Sequence, residues 1–283
     1  MANVKLGNKI YENVETVKLD TADGASVEFA PYEETFAAGK AEGIEEGYAN
    51  GKTEGIAEGI RSEYDRFWDS YQNKGERKKY EFAFSGYDGW NDDTFQPKYD
   101  LVLGDGYTGG NMFNGCQVVN LAAKLESLGV KLDTTRCGHL EYMFANAQTV
   151  RIPEINATSG MEYSTQGLLN TFANSTIETI DRLVVVEGLK YYNTFLNGTS
   201  LKHITFDGVI SEDINFQWSP LTVDSIRSVV THLSDSAAEK TVTFNLSAVN
   251  NAFETGEGAA DGSTSAEWAA LIATKPNWTI TLV

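Results

Sequence analysis

The chain has 283 residues, and its 40 acidic against 22 basic side chains give a formal net charge of −18. A field of that sign repels phosphate backbones and anionic lipid, which argues against general binding to nucleic acid or to membrane surfaces. Hydrophobic residues at 41% and aromatics at 11% exclude wholesale disorder, and no stretch approaches the roughly 20 apolar residues that span a bilayer.

Residues 1–32 carry a short β pattern. Apolar and polar residues alternate at Val4 and Leu6, at Val14, Val17 and Leu19, and at Val27 and Phe29, with Gly7-Asn8 and Asp23-Gly24 supplying turn chemistry. The pattern predicts three short strands. About 30 residues are too few to stand alone, so this segment is expected to dock on something larger. Its opening, MANVKLGNKI, lacks the apolar core of a signal peptide.

Residues 33–74 change character. Glycine recurs every fourth position, at Gly39, Gly43, Gly47, Gly51, Gly55 and Gly59, beside a second stripe that includes Ile44, Tyr48, Ile56 and Ile60. The period points to a long helix whose small face lets neighbouring helices approach closely, which makes an oligomeric stalk, with three copies as the guess. Glycine opposes this at roughly 0.8–1 kcal/mol per residue, so a flexible acidic linker competes with the helix. Residues 75–100 mix aromatics with Gly86, Gly89 and Pro97 and predict an irregular junction, with one short strand near Tyr80–Phe84.

From residue 101 onward an internal repeat dominates. Four segments share a register: MFNGC at 112–116, MFANA at 143–147, TFANS at 171–175 and TFLNG at 194–198. Their phenylalanines, Phe113, Phe144, Phe172 and Phe195, are 31, 28 and 23 residues apart. An aliphatic follows each (Val118, Val150, Ile177, Leu201), and then another (Leu121, Ile152, Ile180, Ile204). Such a unit cannot bury its apolar face alone, so units are expected to stack over a shared core. The tail predicts a cap: a helix in SPLTVDSIRSVVTHLSD, a strand in TVTFNLSAV, a helix in SAEWAALIAT and a final strand in WTITLV.

Motifs with known chemistry are few. His139, His203 and His232 lie outside any HExxH or CxxH context, and no GxSxG, GxxxxGK[ST] or GxGxxG string occurs. Cys116 and Cys137 are two thiols, too few for a disulfide framework or a four-thiolate site. Asp88, Asp92, Asp93, Asp100 and Asp105 could supply calcium ligands, although their spacing does not match an EF-hand loop. No catalytic residue, metal site or cofactor is expected. A binding surface is the stronger expectation, because Tyr107, Asn111, Tyr142, Tyr163, Tyr191, Tyr192 and Asn193 lie near the repeat boundaries. Tyrosine with asparagine joins rigid contact area to adaptable hydrogen bonding.

These blocks carry a resemblance. FLNGTSLKHI resembles the irregular leucine-rich repeats of BspA-like surface proteins. The stretch from Tyr64 onward is similar to virion proteins of gut Firmicute phages and prophages, through EYDRFWDSYQNKGER, AFSGYDGWNDDTFQPKYD and EWAALIATKPNWTITLV. The patterns above and the resemblance, which covers roughly residues 62–283 and implies the leucine-rich-repeat head, together give the expectation of a mixed α/β multidomain chain: an N-terminal β anchor (1–32), a Gly-repeat helical stalk (33–74), a junction (75–100) and a leucine-rich-repeat-like solenoid head with its cap (101–283). The resemblance also implies a virion structural protein, a tail or head fibre made in the host cytoplasm. Such a chain would hold itself as a homo-oligomer, hold other virion proteins through its N-terminus, and meet a bacterial surface ligand with its head. A capsid decoration protein without receptor recognition and a virion-associated polysaccharide depolymerase are the alternatives.

Overall fold

The computed structural model describes residues 80–86, 89–105, 109–160, 165–236, 239–253 and 265–283 in full, together with the backbone of four strands within 2–29. The chain divides into two compact units, residues 1–64 and 65–283. In the first, β1 (Ala2–Leu6) pairs antiparallel with β2 (Lys9–Val14), and β3 (Val17–Asp20) with β4 (Ser26–Phe29). Two hairpins thus replace the three strands expected. The three-residue step from Val14 to Val17 breaks the period-two alternation, so the run that looked continuous falls on two strands.

The second unit is built on stacked tight turns. In each turn one buried phenylalanine (Phe84, Phe113, Phe144, Phe172 or Phe195) sits between two positions where the chain can bend to positive φ. The residue two before it lies at φ 58, 55, 57, 51 and 51° (Phe82, Asn111, Tyr142, Asn170 and Asn193). The residue two after it does so at Gly115, Asn146, Asn174 and Asn197, with φ between 53 and 69°. Glycine and asparagine tolerate this conformation best, which is why F-x-N and F-N-G recur.

The bend points N–H groups along the stack. Phe113 N donates to Met143 O (2.7 Å), Phe144 N to Thr171 O (2.8 Å) and Phe172 N to Thr194 O (2.9 Å), and the residues two before and two after each ring repeat the pattern. Side chains add rungs: Asn146 Nδ2 donates to Asn114 Oδ1 (3.0 Å) and Asn197 Nδ2 to Asn174 Oδ1 (2.8 Å). The buried hydroxyls of Thr171 and Thr194 donate back to Leu140 O (3.0 Å) and Leu168 O (2.8 Å). Each turn therefore leaves few buried polar groups unpaired.

Inside the turns the rings form one stack. Phe84, Phe113, Phe144, Phe172, Phe195, Phe216 and Phe244 follow one another at 4.5–6.1 Å between centroids, with interplanar angles of 6–30°. These are offset-stacking separations, worth about 0.5–1.5 kcal/mol per pair beyond burial. At one end Trp90 and Phe95 meet Phe84 edge-on, and at the other Trp268 meets Phe244 edge-on.

Parallel strands flank the turns: β5 (Leu101–Val102) with β6 (Leu132–Asp133), and β7 (Arg151–Ile152) and β8 (Ile155–Asn156) with β9 (Thr179–Val185), which pairs with β10 (His203–Gly208). Further along, β11 (Ile214–Phe216), β12 (Lys240–Phe244) and β13 (Trp278–Leu282) make a third parallel sheet. Four helices accompany them among the described residues: α1 (Leu121–Leu128), α2 (Val223–His232), α3 (Leu246–Ala252) and α4 (Ala266–Ala273). Asn120, Asn245 and Ser265 cap three of them through side-chain oxygens.

The expected fold class is therefore corrected. Among the described residues no helix exceeds ten residues, and the long Gly-repeat helix is not among them. The segment on which it rested, from Gly39 to Gly59 with Ile44, Tyr48, Ile56 and Ile60, lies outside the described residues. The leucine-rich-repeat-like solenoid is corrected as well. Unequal spacings leave β5 to β8 only two residues each, so the strands fall into small separate parallel sheets and form no continuous β face. Tyr80–Phe84 is likewise a turn, not a strand: Phe82 N and Phe84 N donate to Gly110 O and Met112 O, which makes it the first member of the stack.

The aliphatic register is mostly as expected. Val118, Ile177, Leu201, Leu121, Ile152, Ile180 and Ile204 are buried, but Val150 is exposed. Thr149 takes the inward position instead, and its hydroxyl accepts from Leu121 N (2.9 Å).

Candidate ligand-binding site

The positions two residues before each ring line up along the stack. From Phe82 through Asn111, Tyr142 and Asn170 to Asn193 they follow the same backbone rungs, so their side chains form one stripe. Phe82 is 54% exposed and Tyr142 37%. A bulky aromatic at positive φ costs roughly 1–2 kcal/mol where asparagine or glycine would sit more easily. Three of the residues nominated from sequence, Asn111, Tyr142 and Asn193, belong to this stripe; Phe82 and Asn170 were missed. Counting back two residues from every phenylalanine would have found both.

At the far end the stripe opens into a groove of about 260 Å³. Lys190, Tyr191, Tyr192 and Asn193 form one side, and Glu212, Asp213, Asn215, Thr241 and Thr243 the other. The second side exists because β11 and β12 run parallel in register, Asn215 against Thr243, with Ile214, Phe216, Val242 and Phe244 turned into the core.

The two tyrosines divide their roles. Tyr192 is 54% exposed, and the Lys190 ammonium stands over its ring at 6.0 Å from the centroid. Tyr191 is 95% buried (5% exposed), and its hydroxyl reaches no hydrogen-bond partner among the described residues. Burial, with the Glu212 carboxylate nearby, pushes its pKa well above the ordinary value, so the phenol stays protonated.

Across the groove, Lys240 Nζ donates to Glu212 (2.7 Å), and that bond raises the Lys240 pKa. Asp213 Oδ1 accepts from Thr241 N (2.7 Å) and Asn215 Oδ1 from Gln217 N (2.8 Å), which fixes both side chains. With Glu212 and Lys240 offsetting each other, Lys190 and Asp213 leave the groove close to neutral.

Tyr107 and Tyr163 lie outside the described residues, as does Asp88. The other aspartates nominated as calcium ligands are spread out. Asp92 Oδ1 accepts from Val119 N (3.1 Å), Asp100 Oδ1 from Lys131 N (2.8 Å), and Asp105 pairs with Arg136 (2.6 Å). Among the described residues no three His, Cys, Asp or Glu side chains come together as metal ligands. Cys116 and Cys137 are both buried thiols that form no disulfide, Cys137 Sγ donating to His139 O (3.1 Å), and burial pushes Cys116 up to about 11. Among the described residues no helix is long and apolar enough to cross a membrane.

Comparison with protein-family models, with curated proteins and with solved structures finds no match for this chain.

Proposed function

We propose that this chain is a non-catalytic structural component of a bacteriophage particle, a tail or head fibre, whose stacked-turn unit binds a ligand on a bacterial surface. One observation carries the binding part of this reading. At two of the five stripe positions an exposed aromatic, Phe82 or Tyr142, occupies a left-handed backbone site that asparagine fills at the other three. A protein that only decorated a capsid would gain stability from asparagine throughout; keeping two rings there costs roughly 2–4 kcal/mol. Strain of this kind, kept at an exposed position, is the mark of a site retained for contact. The particle part rests on the sequence resemblance. On this reading the N-terminal hairpins attach the chain to other virion proteins, and several copies per particle raise a weak single-site affinity.

Two experiments test it. Gold-labelled antibody against the chain should decorate phage particles, and particles assembled with residues 1–32 deleted should lose the label. Labelled full-length protein should adhere to cells of a gut Firmicute host, and the Phe82→Asn/Tyr142→Asn variant should adhere less while unfolding at a higher temperature. Unlabelled particles would overturn the virion assignment, and undiminished adhesion by the variant would overturn the binding stripe.

A further inference from the structure

The geometry points to the groove between Tyr192 and the β11–β12 edge as a saccharide site, for a short segment of an uncharged or N-acetylated glycan. This rests on the attachment reading above and names the chemistry of its ligand. Size comes first. At about 260 Å³ the groove falls just below the roughly 300–1,000 Å³ that drug-sized ligands occupy, which suits a short run of sugar rings. A protein partner needs roughly 800 Å² of surface on each side, far more than this groove presents.

Chemistry narrows the choice further. The Tyr192 ring is more than half exposed and offers a flat apolar surface to the C–H face of a pyranose. Around it stand groups that together donate and accept: the Asn193 amide beside it, and opposite it the Asn215 amide, the Thr243 hydroxyl and the accepting Asp213 carboxylate. Sugar hydroxyls also donate and accept, so they pair with such a mixture where a purely apolar ligand leaves it unsatisfied.

Charge excludes polyanions. The groove is nearly neutral because Lys240 holds Glu212, and the chain around it carries −18.

The test uses the full chain and a defined panel: di- and trisaccharides of glucose, galactose and N-acetylglucosamine, read by saturation-transfer NMR, with polyphosphate as the anionic control. The expected result is transfer to at least one saccharide and none to polyphosphate. Tyr192→Ala should weaken that binding at least tenfold, while Tyr192→Phe retains it and both variants keep the wild-type circular dichroism spectrum. Binding that survives Tyr192→Ala, or preference for polyphosphate, would overturn the assignment. Cell adhesion separates the two levels. If wild-type protein adheres to cells but binds no saccharide of the panel, the saccharide site falls and the attachment reading stands; if it does neither, both fall.

Discussion

Replacing Phe144 by alanine removes the middle of the aromatic stack. The ring has no exposed surface and lies 5.2 Å from Phe113 at 6° and 5.8 Å from Phe172 at 16°. Deleting a buried phenylalanine costs about 3–5 kcal/mol through lost transfer energy and the cavity left behind. Against a total stability of about 5–15 kcal/mol, that loss leaves the unit marginal. For a domain of this size it corresponds to a fall in Tm of roughly 6–20 °C.

Phe144→Leu separates burial from stacking, because it keeps most of the volume and loses both ring pairs, which together are worth about 1–3 kcal/mol. A double-mutant cycle of Phe144→Leu with Phe113→Leu should then show a coupling of about 0.5–1.5 kcal/mol, while Phe144→Leu with the distant Phe244→Leu should be additive within about 0.5 kcal/mol. Urea and thermal unfolding followed by circular dichroism and tryptophan fluorescence measure all of these. If Phe144→Leu costs no more than the small loss of buried area, or if the Phe113 cycle shows no coupling, the ring stack contributes nothing beyond its area and the reasoning fails.

Other perturbations read other parts of the design. Asn146→Ala should cost about 1–2 kcal/mol, since alanine pays for φ 57° and loses the bond to Asn114, whereas Asn146→Gly should cost less than alanine; urea midpoints distinguish them. Gly86→Ala should destabilise strongly in the same assay, because a Cβ there would sit 1.9 Å from the Gly115 carbonyl oxygen. Thr194→Val keeps shape but loses the hydroxyl bond to Leu168 O, a cost of about 1 kcal/mol. The thiol pKa of Cys116 is raised from 9.0 to about 11 in the fold, so the unfolded chain loses that proton first as pH rises. Stability present below pH 9 should therefore decline by about 2–3 kcal/mol between pH 9 and 11, and Cys116→Ala should flatten that part of the profile in unfolding measured against pH.

The stack itself was legible in the sequence because its signal is local. The F-x-N and F-N-G strings pair a core ring with a residue that accepts positive φ, and Phe113 to Phe195 repeat this openly. Phe84 was harder, since its turn carries Ser85-Gly86 in place of asparagine and reads as strand text. Phe216 and Phe244 enter the stack from strands, where the only cue is burial at alternate positions. Helix α1 was marked by Asn120 and Gly129 at its two ends, but eight residues give too little periodicity to stand out. The groove was half visible: Tyr191, Tyr192 and Asn193 stand out by type. Asp213, Asn215, Thr241 and Thr243 reach it only through the pairing of β11 with β12, which no local pattern encodes. The long Gly-repeat helix is not among the described helices, and the segment that carried its period lies outside the described residues.

The edge-on rings at the two ends of the stack have a consequence for how copies meet. A flat ring face left bare at either end would welcome the ring of the next molecule, and head-to-tail addition of that kind does not close, so it grows into a fibril. Tyr80, Trp90 and Phe95 pack against Phe84 at 32°, 86° and 87°, and Trp268 against Phe244 at 82°, so both terminal rings are buried. The column of rings is closed off by side chains of its own chain, and its repetition leaves no bare ring face to template a second column.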